Sequence, residues 1–354
     1  MPGHNELVQI DGSLGAGGGQ ILRTSLSMSV ISGRGFHISN IRSSRNKPGL
    51  MAQHLVAVDA AAEISAAQVE GASLHSMELS FIPGKVKSGR YRFNIRTAGS
   101  ASLVLQTIFL PLSRASSSSS FQITGGTHVP WSPCFHYLDL QWLPYLLRIG
   151  FDADLILEKA GFFPQGGGQI RGTIRPAGNL SPLAIDQRGK LISIEGISAV
   201  ANLKIEIAER QKRQAMGRLL KSLSGADSSH IRIRIMELSS YGKGTLLLLK
   251  GNFESGSCCF FSLGEIGKPA ERVADQAVDE FLGFLETDGA VDPYLADQLL
   301  LPLILATGPS QIRTSEITPH LLTNAAVLEA FLPGGINIQG QPGKSGTIVI
   351  HPGK

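Results

Sequence analysis

Three cysteines in 354 residues, with Cys258 and Cys259 adjacent and Cys134 apart, cannot build a disulfide framework. No C-x-x-C occurs, which removes a zinc ribbon and a thioredoxin-type redox pair. Most of the nine histidines have no carboxylate or cysteine at ligand spacing, which argues against a metal site made from them. No run of 18 apolar residues exists, so no transmembrane helix and no membrane partner are expected. The N-terminus, MPGHNELVQIDG, lacks a basic segment followed by an apolar stretch, so no signal peptide is expected. The chain therefore reads as soluble and cytoplasmic, with the nucleus an alternative in a eukaryote. Charge is sparse too: +4 net and a pI near 9.0 suit a phosphate-bearing partner but also many unrelated proteins.

Glycine is what the chain has in excess. Its 41 glycines follow no collagen period and fall in clusters, as tight turns and close backbone approach require. With 42% hydrophobic residues, the length suggests about two domains with a substantial core.

Internal similarity is the strongest signal. From Gly17, a small-residue turn leads into an apolar helix, a second turn and a short strand ending at Phe36-His37-Ile38. The order recurs in GSASLVLQTIFLPLSRASSSSSFQI and again in YLADQLLLPLILATGPSQI, with Gln20, Gln106 and Gln298 in matching places. Each copy continues through a polar loop, a second helix and alternating strands, SMELSFIPG being matched with RYRFNIRTAG in the first. The fold class expected is α/β (α+β): three repeats of a two-helix unit, each with a four-stranded sheet covered on one face. Gln106 and Gln298 stand 192 positions apart against 86 for Gln20 and Gln106, an excess of 106. That excess is a small α/β domain inserted before the third repeat. The division expected is 1–186 for repeats 1 and 2, 187–286 for the insert and 287–354 for repeat 3. A basic helix at 208–223 within the insert reads as a solvated face.

Several places carry candidate chemistry. The Gly15–Gln20 loop opens a helix, where backbone amides and small residues accommodate an anion, or simply make a tight turn. It is not a dinucleotide fingerprint, because Gln20 occupies the third glycine position. Gly343-Lys344-Ser345 imitates a P-loop, but Ile338 stands where its first glycine belongs and a strand follows, which rejects it. Arg42, Arg45 and Lys47 place three cations on one loop, suited to phosphates or to a solvated surface. His54 lies on an apolar helix and reads as structural. His320, at the loop-to-helix junction ITPHLLTN, occupies the place where the first repeat carries its cationic loop. A neutral imidazole there is a candidate nucleophile toward phosphorus.

Seven stretches, in order, resemble the RNA 3′-terminal phosphate cyclase family across nearly the full chain. They are IDGSLGAGGGQILR, IRSSRNKPGLMAQHL, RTAGSASLVLQT, GGTHVPWSP, GFFPQGGGQIRG, DPYLADQLLLP and HLLTN. The resemblance implies an ATP-dependent, ligase-type enzyme that converts an RNA 3′-phosphate into a 2′,3′-cyclic phosphate. Its route runs through a histidine–AMP adduct and an RNA-(3′)pp(5′)A end. It implies His320 as the adenylylated histidine. Gln106, Tyr294, Leu295, Ala296, Asp297 and Gln298 then form the nucleotide pocket, and Arg23, Arg42, Arg45 and Gln53 the groove for phosphates and the RNA terminus. Asp297 either orients the imidazole or contacts the nucleotide.

Two departures stand out. The glutamate that family members carry in the first loop, a candidate metal ligand, is Ala16, and the basic residue before G-x-x-P-x-G-G-G is Ala160. Mg²⁺ or Mn²⁺ is then expected to arrive with ATP, or to use a nearby acid such as Asp11. Two competing readings are an inactive, cyclase-like RNA-binding protein of ribosome assembly and an enolpyruvyl transferase. Retention of His320 and YLADQ counts against the first, and chain length against the second.

Overall fold

The computed structural model describes residues 7–15, 17–223 and 228–352. Ala16 lies outside them. Among the described residues the architecture is mixed α/β, with four four-stranded sheets.

The first sheet is built by β1 (Val8–Asp11), α1 (Gly19–Ser32), β2 (Phe36–Ser39), α2 (Ala52–Ser65), β3 (Gln68–Glu70) and β4 (Leu79–Ile82). Its order is β1-β2-β4-β3, with β1 and β2 parallel and the remaining pairs antiparallel. A parallel pair needs a crossover, and α1 supplies it.

The second sheet repeats that order. It comprises β5 (Arg90–Asn94), α3 (Ala101–Ser113), β6 (Ser119–Gly125), β7 (Asp152–Lys159) and β8 (Gly168–Arg175), ordered β5-β6-β8-β7. Its second helical stretch is α4 (Phe135–Tyr137), a π turn over Leu138–Trp142, and α5 (Leu143–Ile149).

After β9 (Ala184–Ile185) comes a different sheet. It holds β10 (Leu191–Ala201), α6 (Glu206–Ser222), β11 (Ile231–Glu237), β12 (Gly244–Phe253), β13 (Ser257–Leu263) and α7 (Ala270–Leu285), ordered β11-β10-β12-β13. The chain then runs through α8 (Pro293–Ile304), β14 (Ser310–Thr314), α9 (Pro319–Phe331), β15 (Ile336–Gly340) and β16 (Gly346–Ile350). These strands take up β9 to give β9-β14-β16-β15, the order of the first two sheets once more.

Three expectations need correction. Each unit opens on a short strand, not on its first helix. RYRFNIRTAG consequently does not pair with SMELSFIPG: β5 runs parallel to β6, while β4 pairs with β2 and β3. Two alternating segments close in sequence resemble a hairpin, but residues 83–89 between them carry the chain into the next sheet. The basic helix α6 is not simply solvated, because Arg210 pairs with Glu271 and Arg218 with Asp275 and Asp279 of α7.

Helix α1 lies at the centre, packed against α2, α3 and α9, with α8 against α9. Its end is set by Gly33, whose left-handed φ of 72° lets its N–H reach the Ser29 carbonyl. The sheets bury alternate residues against this helical layer, most regularly in β6 and β8. Helix α8 is placed by Asp292, a fully buried carboxylate at its N-cap. One oxygen accepts from Leu295 N–H and Tyr137 O–H, both at 2.9 Å; the other accepts from Gln141 Nε2 at 2.9 Å and Cys259 N–H at 3.2 Å. The π turn, β13 and α8 thus meet on one side chain.

Replacing it should be costly. Asp292→Ala strands four donors, and a loss of about 3 kcal/mol or more in urea unfolding is expected. A loss under about 1 kcal/mol would show that this junction does not hold α8.

Candidate active site

Helix α1 begins without a side-chain cap, behind Gly17 and Gly18 at φ 56° and 108°. Its first amides are therefore available to an anion, where the helix dipole favours negative charge. Space is tight around them. A β-carbon on Gly18 would stand 3.3 Å from an Arg45 guanidinium nitrogen, and one on Gly19 would collide with Arg23 and His54. Three basic side chains thus crowd the mouth of the helix, and glycine is what leaves room for a ligand between them.

His54 is buried, and its Nδ1 accepts from Met51 N–H at 3.0 Å. Its proton is therefore on Nε2, the atom facing Gly19. Burial first, then Arg23 and Arg42, push its pKa down to about 3, so the ring stays neutral. Its expected structural role holds at the α2 N-terminus, with a donor left over toward the loop. Arg42 adopts a left-handed φ of 53° and turns one nitrogen onto the carbonyls of Lys47 and Gly49, at 2.8 and 2.7 Å. It braces the loop that carries Arg45. Gln53 accepts from Ser100 N–H at 3.1 Å, tying α2 to the start of α3.

His320 sits in the first turn of α9, which Thr318 caps and Pro319 begins. The residue is accessible but its ring is partly desolvated, and its Nδ1 lies 2.7 Å from Oε1 of Gln20. The other end of that amide, Nε2, donates to both oxygens of Asp297 at 2.8 Å. A carboxylate accepts only, so it fixes which end of Gln20 faces the histidine. The amide oxygen then requires a proton on His320 Nδ1, leaving the Nε2 lone pair free. Burial, then Arg23 and Arg45, lower the His320 pKa, which keeps it unprotonated near neutral pH. Asn324 closes the arrangement, accepting from Thr24 Oγ1 at 2.7 Å and donating to the Asp297 carbonyl at 3.0 Å.

Gln298 accepts from Gln106 Nε2 at 2.8 Å, so all three glutamines of the internal similarity meet in one region. Tyr294 is half exposed, edge-on to Phe260, with its pKa pushed up to about 12, first by burial. Leu295 and Ala296 are fully buried, so their side chains belong to the core. Gln20, Thr24 and Asn324 were missed as site residues. Gln20 carried a signal, as the first of the repeated glutamines, and Asn324 lay within HLLTN.

Among the described residues, no three histidine, cysteine or acidic side chains cluster as ligands. Asp11 already accepts from Ser13 and Asn40 through one oxygen.

Burial raises the Asp297 pKa to about 6, against Asn324, Gln20 and Arg23, which lower it. A folded-state pKa above the unfolded value means that the folded chain holds the proton longer. Stability from this group is complete below about pH 4 and is lost as pH rises through about 6. Asp297→Asn should therefore gain on the wild type between pH 4 and 6 and keep a constant difference above. Thermal unfolding across that range checks the sign, and a parallel pair of curves would contradict it.

Residues 14–338 match the family described as RTC: RNA 3′-terminal phosphate cyclase. The chain is 43% identical over 336 residues to the RNA 3′-terminal phosphate cyclase of Ralstonia nicotianae, covering 94% of each. It is 42% identical over 345 residues to that of Thermococcus kodakarensis, covering 98% of each. Against the Nostoc punctiforme protein of the same name it is 42% identical, over 92% of this chain and 94% of that one. With a family match over most of its length and such relatives, the chain belongs to the RNA 3′-terminal phosphate cyclase family.

Proposed function

We propose that this protein is an ATP-dependent RNA 3′-terminal phosphate cyclase that works through an adenylylated His320. The observation that carries this reading is the Asp297–Gln20–His320 relay, which leaves a neutral imidazole with its Nε2 lone pair directed away from Gln20. Nε2 attacks the α-phosphorus of ATP, the bond to the bridging oxygen breaks, and pyrophosphate leaves. The positive charge on the ring is balanced when Nδ1–H strengthens its bond to the Gln20 oxygen. An oxygen of the RNA 3′-phosphate then attacks the same phosphorus and displaces His320, giving RNA-(3′)pp(5′)A. The neighbouring 2′-OH attacks the 3′-phosphorus, loses its proton, and expels AMP as the ring closes. Activation is needed because a phosphate monoester is a poor electrophile without a good leaving group.

Arg23 and Arg45, with the amides of α1, hold the phosphates, and Arg42 braces their loop. Tyr294, Gln106, Asp297 and Gln298 line the nucleotide side. A divalent cation such as Mg²⁺ or Mn²⁺, delivered with ATP, would supply charge screening for the triphosphate. The insert is taken as residues 187–286, with 1–186 and 287–354 forming the large domain.

Incubation with α-labelled ATP tests the reading. Acid-labile, alkali-stable label is expected on the wild type and none on His320→Ala. Absence of label on both would favour an RNA-binding protein without the activity. Asp297→Asn should slow labelling by roughly a hundredfold or more, since its amide can donate to Gln20, turn it over and leave the proton on Nε2. Unchanged labelling would remove Asp297 from the relay.

A further inference from the structure

Four loops meet at one end of the second sheet, next to the proposed active site but outside it. Residues 95–100 follow β5, and their Ser100 N–H is held by Gln53. Gly126 N–H reaches the Gly99 carbonyl at 2.7 Å, which seats residues 125–134 beside them. The amides of Thr127 and His128 both donate to Gly161, at 2.9 and 3.0 Å, adding residues 159–168. Finally Ala160 N–H donates to Ser239 at 2.8 Å, and Asn202 of the inserted sheet holds the carbonyls of Ser240 and Gly242. The last loop, 239–244, thus comes from the insert.

The surface of this cluster is unusual in two ways. It exposes three aromatic rings, Trp131 at 100%, Tyr241 at 70% and Phe163 at 68%. Trp131 stands at the tip of a loop closed by Phe135 N–H on the Thr127 carbonyl at 2.9 Å, so its ring is held out from the protein. The four loops also carry Arg96, Lys159 and Lys243 but no aspartate or glutamate. Lys159 lies 3.6 Å from the centroid of the Tyr241 ring. Arg96 and Lys243 have no ion-pair partner among the described residues. A water-exposed ring gains nothing in the folded chain by standing clear of the core. Rings interspersed with unneutralised cations are what a single-stranded nucleic acid needs, with bases stacked on the rings and phosphates beside the cations.

We infer that Trp131, Phe163 and Tyr241, with Arg96, Lys159 and Lys243, form a stacking platform for the RNA nucleotides upstream of the reacting 3′ end. The occupant follows from charge and from continuity: the first of the four loops is held at Ser100 by Gln53, on the same helix as His54. It also gives the insert a task, because Tyr241 and Lys243 are its contribution. The inference rests on the cyclase reading above and extends it from the reacting end to the strand behind it. Stacking tolerates any base, so the platform confers a preference for length and single-strandedness, not for sequence.

The test compares 3′-phosphorylated oligoribonucleotides of two and ten nucleotides. In Trp131→Ala and Tyr241→Ala, the ratio of kcat/KM for the ten-mer over the dinucleotide should fall about tenfold from the wild-type ratio. Trp131→Phe should restore most of it, which a general folding defect would not allow. An unchanged ratio in both alanine variants overturns the platform, including the case in which this face serves a protein partner instead. An equal loss on both substrates overturns it too, since that locates the rings at the reacting end. Labelling of wild-type His320 by ATP without RNA is scored separately: its absence defeats the cyclase reading, whereas its presence with an unchanged ratio defeats the platform alone.

Discussion

A carboxylate that can only accept decides how its neighbours point, and at Asp297 that decision passes through two further groups. Both of its oxygens accept from the Gln20 amide nitrogen, the amide oxygen turns to His320, and the imidazole is left with one defined tautomer. The three residues come from α8, α1 and α9, so the relay exists only while those helices hold their positions. Asp292, five residues before Asp297 on the same helix, supplies the second constraint by fixing the start of α8 to the π turn and β13. The two buried acids divide the work: one places the helix, and the other uses it.

Much of this arrangement was legible in the sequence. Gln20, Gln106 and Gln298 were visible as equivalents because similar units repeat the side chains that face their common centre. They do meet there, although Gln20 bonds to Asp297 and His320 while Gln106 and Gln298 bond to each other. His320 was legible as a candidate from its junction, but its tautomer was not, since that depends on an acid 23 positions away. Two of the three opening strands were invisible for a simpler reason. β1 has four residues and β9 two, too few for alternation to register, and they are strands only because a neighbouring strand pairs with them.

The electrostatics around the helix mouth work in one direction. Arg23 and Arg45 lower the His320 pKa, and Arg23 and Arg42 do the same to His54. Burial first, and these cations second, keep two imidazoles neutral, while Arg23, lowered to about 10 by burial, stays charged at any working pH. One site can therefore attract a polyanion and still present an unprotonated nucleophile to it. The same cations would make a carboxylate ligand for a metal less necessary for screening charge, which bears on the alanine at position 16.

The smallest strand has the widest reach. Ala184–Ile185 belongs to the sheet of β14, β15 and β16, yet its partner in β14 lies 127 positions further on, beyond the entire β10–β13 sheet. Arg188 then clasps the Phe284, Leu285 and Gly289 carbonyls, so the points where the chain leaves and re-enters are drawn together. On a ribosome, β9 emerges long before anything it can pair with, whereas the inserted unit has all its strands in hand. Once folded, the β10–β13 unit brings its own two ends side by side and so holds β9 within reach of β14. The interruption then serves as a splint: a loop-closure cost that a flexible connector of that length would impose is met in advance by a folded body.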